Sequence, residues 1–158
     1  MKNYDSGNAF TFNKKLNDGV RELITGLDGD YFVTAVFNRQ VGMAGAEASL
    51  QHWYNCMNRK LYGKKKWFNL AAEDRLQYVA VAENVSSNLH WHMVVKAGGK
   101  VPGWKFKMAA THYWEKYNKS GSMDVQKMMT AQDKEKVAYY VTKDTWQAVN
   151  YDNIRTSA

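Results

Sequence analysis

Two histidines, His90 and His92, stand either side of one bulky apolar residue in the stretch Asn88 to Lys96, which reads N-L-H-W-H-M-V-V-K. The run has the composition of a β-strand, and a strand's side-chain period of two sends both imidazoles to one face and Trp91 to the other, into a core. Imidazole is the commonest protein ligand for a divalent metal, so the pair supplies part of a small coordination sphere. Seven residues before His90 stands Glu83, closing another strand-like run, Gln77 to Glu83 (Q-Y-V-A-V-A-E). A short turn over Asn84 to Asn88 would fold the two runs into an antiparallel hairpin and bring the Glu83 carboxylate beside the imidazoles as a third ligand.

A second group of reactive residues lies far downstream in Val137 to Asp144 (V-A-Y-Y-V-T-K-D), a segment that reads as helix. Tyr140 is followed three residues later by Lys143, which places phenol and ammonium on adjoining parts of one helix face. Tyr139 precedes the same lysine at spacing four and is the alternative nucleophile. Tyr140 is preferred because it lies between Lys143 and the Val137/Val141 pair, the apolar residues that should pack this helix against the sheet.

The elements that must position these groups follow in order. Tyr31 to Asn38 is dense in β-branched and aromatic residues and is expected to be a central strand. Gly45 to Tyr62 places Leu50, Trp53, Met57 and Leu61 at spacings of three and four, an amphipathic helix on which His52 and Cys56 are expected to be structural or exposed. Gly63 ends it, before Lys64, Lys65 and Lys66 and then Trp67 and Phe68. The lysine run beside aromatics is either a solvated loop or a contact to phosphates and bases, with Trp67 available to stack. After the hairpin, a glycine-rich turn holding Pro102 leads to a helix over Trp104 to Tyr117, whose His112 is expected not to be a ligand. Met123 to Met129 is expected to be a final short strand, and a third helix begins near Ala131. Met1 to Asp30 is polar, with helical character only over Val20 to Leu27, and is expected to be an arm or short helix. Asp144 to Ala158 is expected to be a polar tail.

The order strand, helix, strand, strand, helix, strand, helix is a split βαββαβ pattern. The expected fold class is therefore α+β, a ferredoxin-like or RRM-like antiparallel sheet with helices packed on one face. With 158 residues, a 45% hydrophobic fraction and six tryptophans, the chain should bury one core as a single domain. Its net charge of +7 together with many aromatics fits a polyanionic partner with unpaired bases. One cysteine excludes an internal disulfide framework and a multi-cysteine zinc site. No apolar run approaches a membrane span and no signal peptide is visible, so the expectation is a cytoplasmic protein with no membrane association.

An apolar first strand, then His90-Trp91-His92, then Tyr140-Val141-Thr142-Lys143, in that order over roughly residues 30 to 145, resembles the HUH endonucleases. The likeness is to the replication-initiator (Rep) proteins of rolling-circle plasmids and single-stranded DNA viruses. It implies a single HUH nuclease domain over 1–158, with an arm at 1–29, a catalytic core at 30–145 and a tail at 146–158. The implied activity is nicking and rejoining of single-stranded DNA, at an origin or hairpin, through a 5′-phosphotyrosine link. In that scheme Tyr140 is the nucleophile, Lys143 stabilises developing charge, and Glu83, His90 and His92 hold Mg²⁺ or Mn²⁺. Helicase and polymerase would come from the host or the replicating element, since the sequence contains no Walker A motif. Two other readings stay open: a single-tyrosine HUH transposase, whose tyrosine is usually followed by Gln rather than Lys, and a non-catalytic RRM-like nucleic-acid-binding module. The module would gain if Trp91 faced outward.

Overall fold

The computed structural model describes residues 6–98, 101–142 and 153–157. The elements are helix α1 (Ser6–Leu27), strand β1 (Tyr31–Val36), helix α2 (Met43–Tyr62), strands β2 (Gln77–Glu83) and β3 (His90–Lys96), helix α3 (Gly103–Tyr117), strand β4 (Ser122–Lys127), helix α4 (Ala131–Thr142) and strand β5 (Ile154–Thr156). Two short 3₁₀ turns, Trp67–Asn69 and Ala72–Asp74, join α2 to β2. The five strands form one antiparallel sheet in the order β4-β1-β3-β2-β5. The unit from β1 to β4 is the expected βαββαβ arrangement, and the α+β, ferredoxin-like fold class holds.

The first core lies under α2 and α3. Tyr31, Val33 and Ala35 of β1 and Trp91, Met93 and Val95 of β3 point into it and meet Trp53, Met57, Phe106 and Trp114. The indole nitrogens that this packing buries keep their hydrogen bonds: Trp53 Nε1 donates to Ala110 O, Trp91 Nε1 to Ala46 O and Trp114 Nε1 to Val36 O, all at 3.0–3.1 Å. Each ring thus buries its area without leaving an unpaired donor behind.

The opposite face corrects the expectation of helices on one side only. Helices α1 and α4 cover it and close a second, smaller core of Val20, Ile24, Val79, Val81, Val94, Met128, Ala138 and Val141. The residues read as an arm or short helix therefore belong to a 22-residue helix whose buried Leu16, Val20 and Ile24 recur every four residues. The stretch read as a tail is corrected as well. Part of it is β5, pairing Val79 with Thr156 and Val81 with Ile154 along the outer edge of β2; residues 144–152 and 158 lie outside the described residues. Among the described residues, no helix is long and apolar enough to cross a membrane.

The β2–β3 hairpin turns at Asn84, which adopts φ 53°, a left-handed conformation that Asn tolerates better than most residues. Its carbonyl accepts from the backbone N–H groups of Ser87 and Asn88, both at 3.1 Å. That turn sets the register in which Glu83 faces His90 and Val81 faces His92.

Candidate metal centre and its tyrosine

Because Glu83 and His90 are paired across the hairpin and His92 is two residues along β3, all three side chains stand on the α1/α4 face. Their ligand atoms converge. His90 Nε2 is 2.8 Å and His92 Nε2 2.7 Å from the same Glu83 oxygen, Oε2, and the two imidazole nitrogens are 3.1 Å apart. Among the described residues this is the one group of three or more His, Cys, Asp or Glu side chains placed to hold a metal ion.

The atoms behind the cluster fix how the rings present themselves. His90 Nδ1 lies 3.0 Å from the Asn88 carbonyl oxygen, which can only accept, so Nδ1 carries the hydrogen. In the neutral ring Nε2 then offers its lone pair toward Glu83 and His92. His92 Nδ1 is 3.2 Å from the Thr34 hydroxyl on neighbouring β1, and its ring stacks on Phe32 at 5.6 Å between centroids. Outer contacts of this kind hold metal-binding imidazoles in one orientation. The donor set of two imidazole nitrogens and one carboxylate oxygen fits a metal ion.

Helix α4 carries the tyrosines. Tyr140 lies edge-on to His92 at 5.6 Å and to Phe32 at 5.9 Å, on the cluster's side of the helix. Tyr139 points elsewhere: its ring lies 5.0 Å beneath the Arg21 guanidinium of α1, and it is more exposed than Tyr140. Valines 137 and 141 both contribute to the second core, as their spacing predicted. Lys143 lies outside the described residues. The accessibility of Tyr140 contrasts with Tyr62 and Tyr78 in the first core, whose phenols burial pushes up to about 12, with the Asp30 carboxylate adding to Tyr62 and Tyr54 adding to Tyr78.

The structure does not bring the lysine run to this cluster. Lys64, Lys65 and Lys66 form an exposed turn beyond α2, on the α2/α3 side of the sheet. Trp67 follows, packed edge-on against Tyr54 and under Arg75, half-buried rather than presented for stacking. The Tyr62 hydroxyl donates to Ala97 O, which places this region at the Lys96/Gln77 end of the sheet, while the cluster sits at the Glu83/His90 end. His52 stacks on Tyr117 and approaches Cys56, and His112 is exposed on α3, all away from the cluster.

Two residues around the site escaped the sequence reading. Thr34 is the lone polar side chain in Y-F-V-T-A-V, and that interruption of an apolar strand was the available signal. Arg21 Nε donates to the Thr142 hydroxyl at 2.7 Å and ties α1 to the end of α4; nothing local in the sequence marked it. Compared with protein-family models, curated proteins and solved structures, the chain matches none.

Proposed function

We propose that the protein is a metal-dependent single-stranded DNA endonuclease and strand transferase of the HUH replication-initiator type. The observation that carries this reading is the placement of Tyr140 against His92, at the edge of the convergent Glu83/His90/His92 group.

His90 Nε2, His92 Nε2 and a Glu83 carboxylate oxygen would hold Mg²⁺ or Mn²⁺. Cis ligands about 2.1 Å from a six-coordinate ion lie roughly 3.0 Å apart, and the separations of 2.7, 2.8 and 3.1 Å support that size and geometry. Such an ion, when bound, polarises a phosphate oxygen and offsets charge that builds on the phosphate. Tyr140 Oη, losing its proton, attacks phosphorus; the new P–O bond to tyrosine replaces the bond to the 3′-oxygen, which leaves and takes up a proton as a 3′-hydroxyl. Because one phosphate ester replaces another, attack by a 3′-hydroxyl on the phosphotyrosine rejoins strands without a separate energy source. Lys143 is assigned to stabilise the developing charge on its resemblance alone. Helicase and polymerase partners from the host or the replicating element would complete a rolling-circle cycle.

The non-catalytic module loses support because Trp91 is fully buried under α2 and the other face of the sheet lies beneath α1 and α4. The test is incubation with a panel of labelled single-stranded oligonucleotides and Mn²⁺, separated on a denaturing gel. A covalent protein–DNA band, mapped to Tyr140 by mass spectrometry, is the expected result. Cleavage without any tyrosine adduct would overturn the mechanism, and an adduct on Tyr139 would overturn the assignment.

A further inference from the structure

Between Ala48 and Ala72 the chain carries five cationic side chains, Arg59, Lys60, Lys64, Lys65 and Lys66, and no acidic one. Arg59 and Lys60 occupy the last turn of α2, where cations complement the helix dipole and need no other explanation. The three lysines are different. They follow Gly63, which ends the helix at φ 100°, and the backbone N–H groups of Lys66 and Trp67 close the turn by donating to Gly63 O. All three are exposed, and among the described residues none forms an ion pair.

The turn has an anchor. Trp67 is held by Tyr54 and by Arg75, whose Nε and Nη2 both donate to Leu70 O. Phe68, edge-on to Trp67 at 6.1 Å, is then turned outward and 56% exposed directly after the lysines. Glu73 and Asp74 on the next turn mark where the positive surface ends.

We infer that Lys64, Lys65, Lys66 and Phe68 form a second binding surface for single-stranded nucleic acid, separate from the metal cluster. The lysines meet successive phosphates and the Phe68 ring stacks on an unpaired base, a combination that binds single strands with little sequence preference. The strand register places this surface and the cluster at opposite ends of a seven-residue hairpin, about 20 Å apart along the strands, and on opposite faces. A strand must therefore pass around the sheet to touch both, so only a long substrate gains from the second contact. The inference rests on DNA being the substrate, and it adds a substrate-length dependence that the metal cluster alone does not supply.

The test measures fluorescence anisotropy of labelled single strands of about 8 and about 30 nucleotides over roughly 50 to 200 mM salt. Changing Lys64, Lys65 and Lys66 together to Ala should weaken binding of the long strand about tenfold and lower its salt exponent by about two, with a smaller loss for the short strand. The same three positions changed to Arg should bind like the parent, which separates charge from folding. Phe68→Ala should weaken long-strand binding about tenfold with the salt exponent unchanged. An unchanged exponent and affinity in the triple Ala variant would overturn the surface, whatever the nuclease assay gives. Lysine-dependent binding to phosphatidylserine vesicles without binding to DNA would also overturn it. If the lysine-dependent salt effect appears but no tyrosine adduct ever forms, the nuclease reading fails and the surface stands.

Discussion

The two faces of one strand do opposite things. On β3, Trp91, Met93 and Val95 enter a core closed by α2 and α3, where large aromatic rings pack and their indole donors are paired. One residue away, His90 and His92 reach the face under α1 and α4, where the cover is lighter and stops short of the Glu83/His90 end. The first face is given over to burial; on the second, Glu83 and His90 stay partly exposed at the rim while His92 is buried. Alternation along a strand lets seven residues fill a core on one face and contribute a candidate metal site on the other.

The sharpest way to break this comparison is to alter neighbours on β3. Trp91→Ala should cost about 3–5 kcal/mol through lost burial and a residual cavity, lowering Tm by roughly 10 °C at about 2–4 °C per kcal/mol for a chain of this size. His92→Ala, on the other face, should cost about 1 kcal/mol yet abolish Mn²⁺ binding measured by calorimetry and cleavage with it. Equal Tm losses in the two variants would mean that the faces are not divided in this way.

The tyrosines give the second contrast. Tyr140→Phe keeps the ring beside His92 and Phe32 but removes the attacking oxygen, so the covalent adduct should vanish while metal and DNA binding persist. Tyr139→Phe should leave the adduct yield near the parent level, because that ring faces Arg21 on α1. A gel showing the reverse would move the reacting phosphate to the α1 side of the helix.

What the sequence disclosed follows the range of the forces involved. The hairpin, the facing of His90 and His92, and the nearness of Glu83 depend on period-two alternation and one tight turn, so local residues sufficed. Helix α1 was largely hidden because Gly19, Gly26 and several Asn lower its intrinsic propensity, and its Leu16-Val20-Ile24 stripe has value only against the sheet. Strand β5 is three residues long and owes its conformation to the edge of β2. A clue to the covered second face was present: β2 and β3 are apolar at consecutive rather than alternate positions, the pattern of strands buried on both sides. The lysine run was legible as a basic aromatic stretch, but its placement away from the cluster depends on the handed path of α2 across the sheet.

A smaller effect tests whether the contacts behind the imidazoles matter. Thr34→Val removes the hydroxyl 3.2 Å from His92 Nδ1 while keeping a branched side chain in β1. Mn²⁺ affinity should fall about tenfold, the lower end of the range for such outer contacts, and Thr34→Ser should restore it. Affinity unchanged in the Val variant would show that stacking on Phe32 alone orients the ring.

The smallest expected effect concerns the start of α4, the helix that carries Tyr140 to the cluster. Thr130 Oγ1 accepts from Asp133 N at 3.1 Å, and Asp133 Oδ2 accepts in return from the backbone N–H groups of Met129 and Thr130 at 2.9 and 3.0 Å. Together they satisfy donors that the first helical turn leaves unpaired. Thr130→Ala should cost about 1 kcal/mol. Those backbone donors, Met129 first, hold the Asp133 carboxyl below its ordinary 3.8. A depressed folded pKa means that the stabilisation is fully present above the unfolded value and disappears as pH falls through the folded one. The Tm difference between the parent and Asp133→Ala should therefore be constant from pH 7 down to about 5 and shrink toward zero below about 4. Thermal melts of both proteins over that range check it, and a gap that persists undiminished at pH 2 would show that the effect does not come from the charged cap, since helix propensity alone favours Ala over Asp.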